Sequence, residues 1–432
     1  MNVTSLPSAW PDLLLYFFPI FTAPTAAIFL QLMTGWVLCP ARHTVTGMLP
    51  CADPTGQRAH DAYHRFLSQA AWHMGDLWRL LAGRLIGRFY PVGMIRTDLD
   101  DTLFHHTGRK MAGAGWWRDA VRSTGQKVVH AWGLNLVVLT LRVQPFWGGE
   151  PLGLPINLRL HRKNGPSLIE LAEAMLRELT EWFPQRQFLT AADGFYACLA
   201  GRGIPQTHLI SRMRCDAAIY DLPRRKPKGR RGPQPKKGVR LPTPEQLARQ
   251  VRRWTRVKTC ERGKPKFRLV YARRVIWYHV SHQPVLLVIS RDPAGKEPDD
   301  FFFTTDLRLT AATVIGGFAG RWSIEDTFKN TKQFLGGQEP QTWKHLGPER
   351  AAALSFWLYS LVWTWYLQQQ QRRPIALPRR PWYPAKRRPS FQDALAALRR
   401  TLWPERIKSM FGKRTAHDEI TRFLIEALAS AA

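Results

Sequence analysis

The feature that most limits what this chain can fold into is a change of apolar period partway along it. Up to about residue 90, apolar side chains recur at helical spacing, through residues 10–35 and again through His60–Gly87. From Pro91 the pattern becomes runs of Val, Ile, Leu and Thr between Gly and Pro turns, at Pro91–Asp101, Ala131–Val143 and Leu154–His161. Such runs predict strands. Ser167–Phe183 returns to helical spacing, with Leu168, Leu171, Ala172, Met175, Leu176 and Leu179 on one stripe. Gln187–Ala192 predicts a short buried strand ending at Asp193, Gly194–Ala200 a short helix, and Thr207–Arg214 another strand. A chain alternating in this way has to bury helices against a sheet, so the fold class is α/β.

Charge then narrows the partner. Against 63 Lys and Arg stand 32 Asp and Glu, a formal charge of +31. Self-repulsion on that scale opposes a compact fold unless a polyanion is the working partner, which points to nucleic acid, with an anionic membrane surface as the competing explanation. From Leu13 to Ala41 no side chain is charged, but Pro19, Pro24, Gln31 and Gly35 interrupt the run and no basic segment precedes it. It predicts two short buried helices rather than a membrane span or a signal peptide. The five cysteines form no C-x-x-C pair, which argues against a disulfide scaffold or a cysteine-based zinc site and suits a reducing cytoplasm. No phosphate-binding G-x-x-x-x-G-K-[ST] occurs.

Between Leu222 and Pro244 lie nine Lys or Arg, six Pro, three Gly and no acid, a composition that cannot form a packed element. Trp254–Val280, Val285–Arg291 and Phe301–Thr305 then read as strands of an antiparallel insertion. Pro348–Gln371 reads as a long apolar helix, residues 372–388 as a second basic run, and 390–432 as closing helices.

Three acidic positions stand out. Asp98, Asp100 and Asp101 lie at the expected end of the first strand, in Thr97–Thr102, and Asp193 ends the fourth. Strand ends are where ligands gather in open α/β sheets. The third position is in Phe318–Gly337. A helix from Ser323 there sets Ile324, Phe328, Thr331 and Leu335 on one stripe and Glu325, Lys329 and Lys332 beside it. Ser323 and Asp326 fit a capping box and Gly336–Gly337 a stop. By itself this is an ordinary surface helix with an i,i+4 Glu–Lys pair.

Phe318, Arg321, Glu325 and Lys332, with two, three and six residues between them, resemble the Tyr-Arg-Glu-Lys signature of bacterial insertion-sequence transposases of the DDE class, with Phe in place of Tyr. The order Asp, Asp, Glu on strand, strand and helix is similar to the transposase and retroviral integrase family over roughly residues 90–340. The resemblance implies a ribonuclease-H-like (retroviral-integrase-like) catalytic core at 91–221 and 301–340. It also implies a helical N-terminal DNA-binding region at 1–90, a basic linker and β-rich insertion at 222–300, and a helical C-terminal region at 341–432. Arg42–Gly47 fits either a DNA-contacting segment or a linker turn.

What the resemblance implies chemically is phosphodiester cleavage and transfer of the 3′-hydroxyl to target DNA. Asp101, the best match to the family's Asp-Thr pair, would join Asp193 and Glu325 as catalytic metal ligands, with Asp100 and Asp98 as alternatives for the first. Barrier reduction for this reaction is on the order of 20 kcal/mol, and one general acid or base supplies roughly 3–5 kcal/mol. Two Mg²⁺ ions about 4 Å apart, with Mn²⁺ as a substitute, make up the difference, and Asp and Glu oxygens are their natural ligands. Arg321, Lys329 and Lys332 would hold the DNA backbone, and Arg224, Arg225, Lys226, Arg230 and Arg231 a further stretch of it. His105–His106 lacks a third metal ligand at suitable spacing, while Trp254, Trp277 and Trp322 are stacking candidates that more often are core. The implied partners are double-stranded DNA, both element ends and target, and a second protomer, with no membrane. The implied location is the bacterial cytoplasm, at the nucleoid. An inactive DNA-binding protein or a standalone nuclease of the same fold is the alternative.

Overall fold

A computed structural model describes residues 9–224, 232–378, 381–411 and 419–431. Five helices come first: α1 (Trp10–Leu15), α2 (Ala23–Leu38), α3 (Val45–Ala52), α4 (His60–Ser68) and α5 (Met74–Phe89). Pro opens the first turn of α1 and of α2, where the missing N–H has no intrahelical partner to lose. The uncharged run is thus split into short helices. Among the described residues no helix is long and apolar enough to cross a membrane. Arg42–Gly47 is the entry to α3, with the Thr44 hydroxyl accepting from the Gly47 N–H at 3.0 Å.

The sheet begins with β1 (Ile95–His105), β2 (Gly115–Arg118), β3 (His130–Val143) and β4 (Leu152–His161). Helix α6 (Leu168–Trp182) follows, opened by a capping box in which Ser167 and Glu170 satisfy each other's backbone N–H. Then come β5 (Phe188–Ala192), a 3₁₀ turn at Gly194–Gly201 and β6 (Thr207–Arg212). Strand β1 runs antiparallel to β3 and parallel to β5, β5 is parallel to β6, and β3 carries β4 and the short β2 on its other edge. Apolar periodicity finds all of these except β2, whose four residues are too few to show a period.

Past the basic segment, Thr243 and Gln246 form a second capping box that starts α7 (Pro244–Gln250). Strands β7 (Thr255–Glu261), β8 (Lys264–Val275), β9 (Val285–Arg291) and β10 (Asp300–Thr304) form an antiparallel meander. They are not a separate sheet. Strand β10 pairs with β6, so one sheet runs β2-β3-β1-β5-β6-β10-β9-β8-β7 with β4 on β3.

Helix α8 (Ala311–Ala319) leads through a 3₁₀ turn, Gly320–Trp322, into α9 (Ser323–Phe334). The capping box expected at Ser323 does not form. Residues 319–323 are all helical in backbone, so α9 has no free N-terminus there and Trp322 makes no side-chain cap. The Ser323 hydroxyl instead donates to Asp98 Oδ2 at 3.2 Å. The stop does form: Gly336 has φ +52° and the Gly337 N–H reaches back to the Thr331 carbonyl. Helix α10 (Gly347–Arg372) is buried on all sides from Gly347 to Gln368, as expected of a helix apolar all round. The chain closes with α11 (Phe391–Phe411) and α12 (Glu419–Ser430). One apolar cluster runs from α1 through the sheet and α10 to α11, so the N-terminal helices share the core of the sheet.

Candidate active site

Asp98, Asp100 and Asp101 lie in the middle of β1, not at its end as expected, because β1 continues to His105. What ends near them is β5: its pairing with β1 stops at Leu99–Ala192. Beyond that point the β1 edge is open, and Asp100 and Asp101 both line one cleft although strand alternation turns them to opposite faces. Asp98 does not line it. It is fully buried against Arg142, whose Nε donates to Oδ2 at 3.0 Å and whose second nitrogen holds Oδ1.

Asp193 ends β5 and turns into the 3₁₀ segment, its Oδ1 accepting from the Phe195 N–H at 2.9 Å. Glu325 comes from the first turn of α9, which is fixed from both sides. Thr327 donates to the Gly153 carbonyl of β4 at 2.7 Å, and a side chain at Gly153 would press on Ser323. Phe328 meets Phe356 of α10 edge-on. Asp100, Asp101, Asp193, Glu325, Arg321, Lys329 and Lys332 therefore line the same cleft, of about 590 Å³.

Within it the charges are coupled. Arg321 Nη1 pairs with Asp100, and its Nη2 lies 3.3 Å from Glu325 Oε1, so one guanidinium spans both carboxylates. Glu325 takes this partner rather than Lys329, which is exposed. Burial raises the Asp100 carboxyl to about 7; Arg321 opposes the rise, and the neighbouring Asp101 and Asp193 add to it. Burial also raises Asp101, against a 2.9 Å hydrogen bond from the Tyr196 hydroxyl, and raises Glu325 against Arg321. Lys332 is pushed down to about 8 by burial, and its Nζ donates to the Thr102 hydroxyl at 2.9 Å. Tyr196 was missed by sequence reasoning; its place three residues after Asp193 was the available signal.

Among the described residues no group of three His, Cys, Asp or Glu is arranged to hold a metal ion. The chemistry of the donor set nonetheless fits one. Asp100 and Asp101 of β1 and Glu325 of α9, half-buried and with proton affinities raised first by burial, lie with Asp193 as hard oxygen donors that a divalent cation would stabilise in ionised form.

The remaining expectations divide. His105 pairs with Asp119 at 2.9 Å on the cleft wall, and His106 is half-buried and held down to about 4 by its loss of solvent. Trp277 is core, meeting Phe303 edge-on, and Trp254 lies under Arg291. Trp322 is 42% exposed, with the Arg262 guanidinium 3.9 Å over its ring. Arg224 is exposed and does not line the cleft; Arg225, Lys226, Arg230 and Arg231 lie outside the described residues. In the second basic run Lys386 is paired with Asp393 and is not a free cation.

None of the curated proteins matches the sequence. Among solved structures, the piggyBac transposase synaptic complex with hairpin DNA aligns with a TM-score of 0.43 at 9% identity, over 94% of this chain and 76% of that one. A family model described as DDE superfamily endonuclease matches residues 16–284, a span that holds Asp100, Asp101 and Asp193 and stops short of Glu325. That match covers most of the chain, and the protein belongs to the DDE superfamily endonucleases.

Proposed function

We propose that this protein is a DNA transposase with a ribonuclease-H-like core, which binds the terminal inverted repeats of its element, cleaves there and joins the 3′-hydroxyl ends to target DNA. The observation that carries the reading is the meeting of Asp101, Asp193 and Glu325, from β1, the end of β5 and α9, in one cleft rimmed by cations. The sheet order β4-β3-β1-β5-β6, with β3 antiparallel and β5 and β6 parallel to the central strand, supports the ribonuclease-H-like assignment.

In this reading Asp101, Asp193 and Glu325 hold Mg²⁺ or its substitute Mn²⁺. Bound there, two ions would activate water or a 3′-hydroxyl for in-line attack and neutralise the leaving oxygen. The chain's own groups orient these carboxylates. The Tyr196 hydroxyl fixes Asp101, the Phe195 amide fixes Asp193, and Arg321 positions Glu325 from its anchor on Asp100. Lys329 and Lys332 bind the flanking phosphates, and the basic segment around Arg224 extends the grip. Two element ends call for two such clefts, so the working unit on DNA is a homodimer acting at the nucleoid.

The test is nicking of supercoiled plasmid and joining of pre-cleaved ends with Mg²⁺. Wild type does both, and Glu325→Ala, Asp193→Ala and Asp101→Ala each lose both while still shifting duplex DNA. Intact cleavage by Glu325→Ala overturns the assignment. Cleavage without joining identifies a standalone nuclease, and binding without cleavage by the wild type identifies an inactive binder.

A further inference from the structure

A strong unassigned positive charge lies on and beside β7. From Arg252 to Lys264 the chain carries Arg252, Arg253, Arg256, Lys258, Arg262 and Lys264 against one acid, Glu261. That acid is taken by Arg268 through two hydrogen bonds of 2.7 Å. All six cations are exposed, and among the described residues none forms an ion pair, although Arg262 acts on Glu325 and Asp326 through space. The contrast is local, because the neighbouring Arg268, Arg273 and Arg291 are each ion-paired. Strand β7 is also the last strand of the sheet, paired only with β8, and α8 packs beside the Cys260 backbone on its other side. One or two lysines suffice to protect a terminal strand from pairing. Six unpaired cations on 13 residues go well beyond that and cost self-repulsion in the absence of a polyanion.

The geometry of β7 gives the charge a direction. Lys258 and Cys260 share one face of β7 and, with Arg262 of the following turn, border a cavity bounded by Arg96 and by the Gly316–Gly317 stretch of α8. The strand ends at Glu261, and Arg262 in the turn that follows sits on the Trp322 ring one turn before Glu325. Arg262 reaches this place because Gly263, at φ +67°, lets the β7–β8 turn touch the backbone of Gly149.

We propose that the exposed cations from Arg252 to Lys264, on and beside β7, form a rail for the phosphate backbone of duplex DNA that delivers a strand to the carboxylate cleft. The inference rests on the DNA reading above and adds a surface to it. Cys260, exposed in the middle of the rail, reports on it in the unaltered protein, and the exposed Cys215 serves as the control. With a duplex oligonucleotide bound, alkylation of Cys260 by iodoacetamide slows several-fold while that of Cys215 is unchanged. In parallel, replacing Arg252, Arg256 and Lys258 together by Ala makes the slope of log affinity against log salt shallower by about 2 to 3, at roughly 0.9 per phosphate contact. Cys260 alkylated at the free rate while a mobility shift shows the duplex bound overturns the rail and leaves the DNA reading standing. So does an unchanged salt slope in a triple variant whose melting temperature matches wild type. If the wild type binds no duplex at all, the reading under it fails, and the rail with it.

Discussion

Asp98 and Asp100 are two residues apart on one strand and meet opposite fates. Asp98 is sealed under the Gly320–Trp322 turn with Arg142 and Ser323, and Asp100 opens to the cleft with Arg321. Removing one partner of a sealed pair strands the other charge. Asp98→Ala should therefore destabilise the fold by about 3–5 kcal/mol, measured by urea unfolding; a loss near zero would show that Arg142 is solvated. Lys332 gives a pH signature. Its folded pKa of about 8 lies below the ordinary lysine value of 10.5, so the stability it contributes is present above pH 10.5 and is lost as pH falls through 8. A phosphate beside it favours the charged form. DNA binding near pH 8 to 9 should then take up a proton, seen as a buffer-dependent heat in titration calorimetry, and Lys332→Arg should abolish that dependence.

The carboxylate helix is held by its neighbours more than by its own ends. Helix α9 has no side-chain cap and continues from α8 through a 3₁₀ turn; Thr327 on Gly153, Phe328 on Phe356 and the Trp36 indole on the Leu335 carbonyl at 2.8 Å fix it instead. The β7–β8 turn adds a further contact beside the start of α9 through Arg262 on Trp322, and Gly263 decides whether it docks. Gly263→Ala adds a Cβ at positive φ against the Gly149 backbone. It should cost about 1–3 kcal/mol, and hydrogen exchange should speed up selectively across Thr259–Lys266. Unchanged exchange would mean that the turn is not held there.

At the scale of the whole molecule, a charge of +31 opposes compaction, while burial of one apolar cluster from α1 to α11 drives it. Screening should relieve the first without touching the second. Raising NaCl from about 0.05 to about 0.5 M shortens the Debye length from roughly 14 to 4 Å, and the melting temperature of the DNA-free protein should rise. A fall would mean that attractive surface pairs outweigh the repulsion.

The apolar periods, the spacing of Arg321, Glu325 and Lys332 and the bulk charge were determined by the sequence alone, because each is a property of neighbours along the chain. They yielded the α/β order, the split of the uncharged run into α1 and α2, and the candidate carboxylates. Only the tertiary structure decided that Asp98 is sealed while Asp100 and Asp101 are open, since that depends on where β5 stops beside β1. It also decided that Glu325 takes Arg321 and not Lys329, that Tyr196 reaches Asp101, and that β7 is a terminal strand of the sheet whose cations form no ion pairs among the described residues. Those facts concern which distant groups come to lie next to one another, and local propensity carries no record of them.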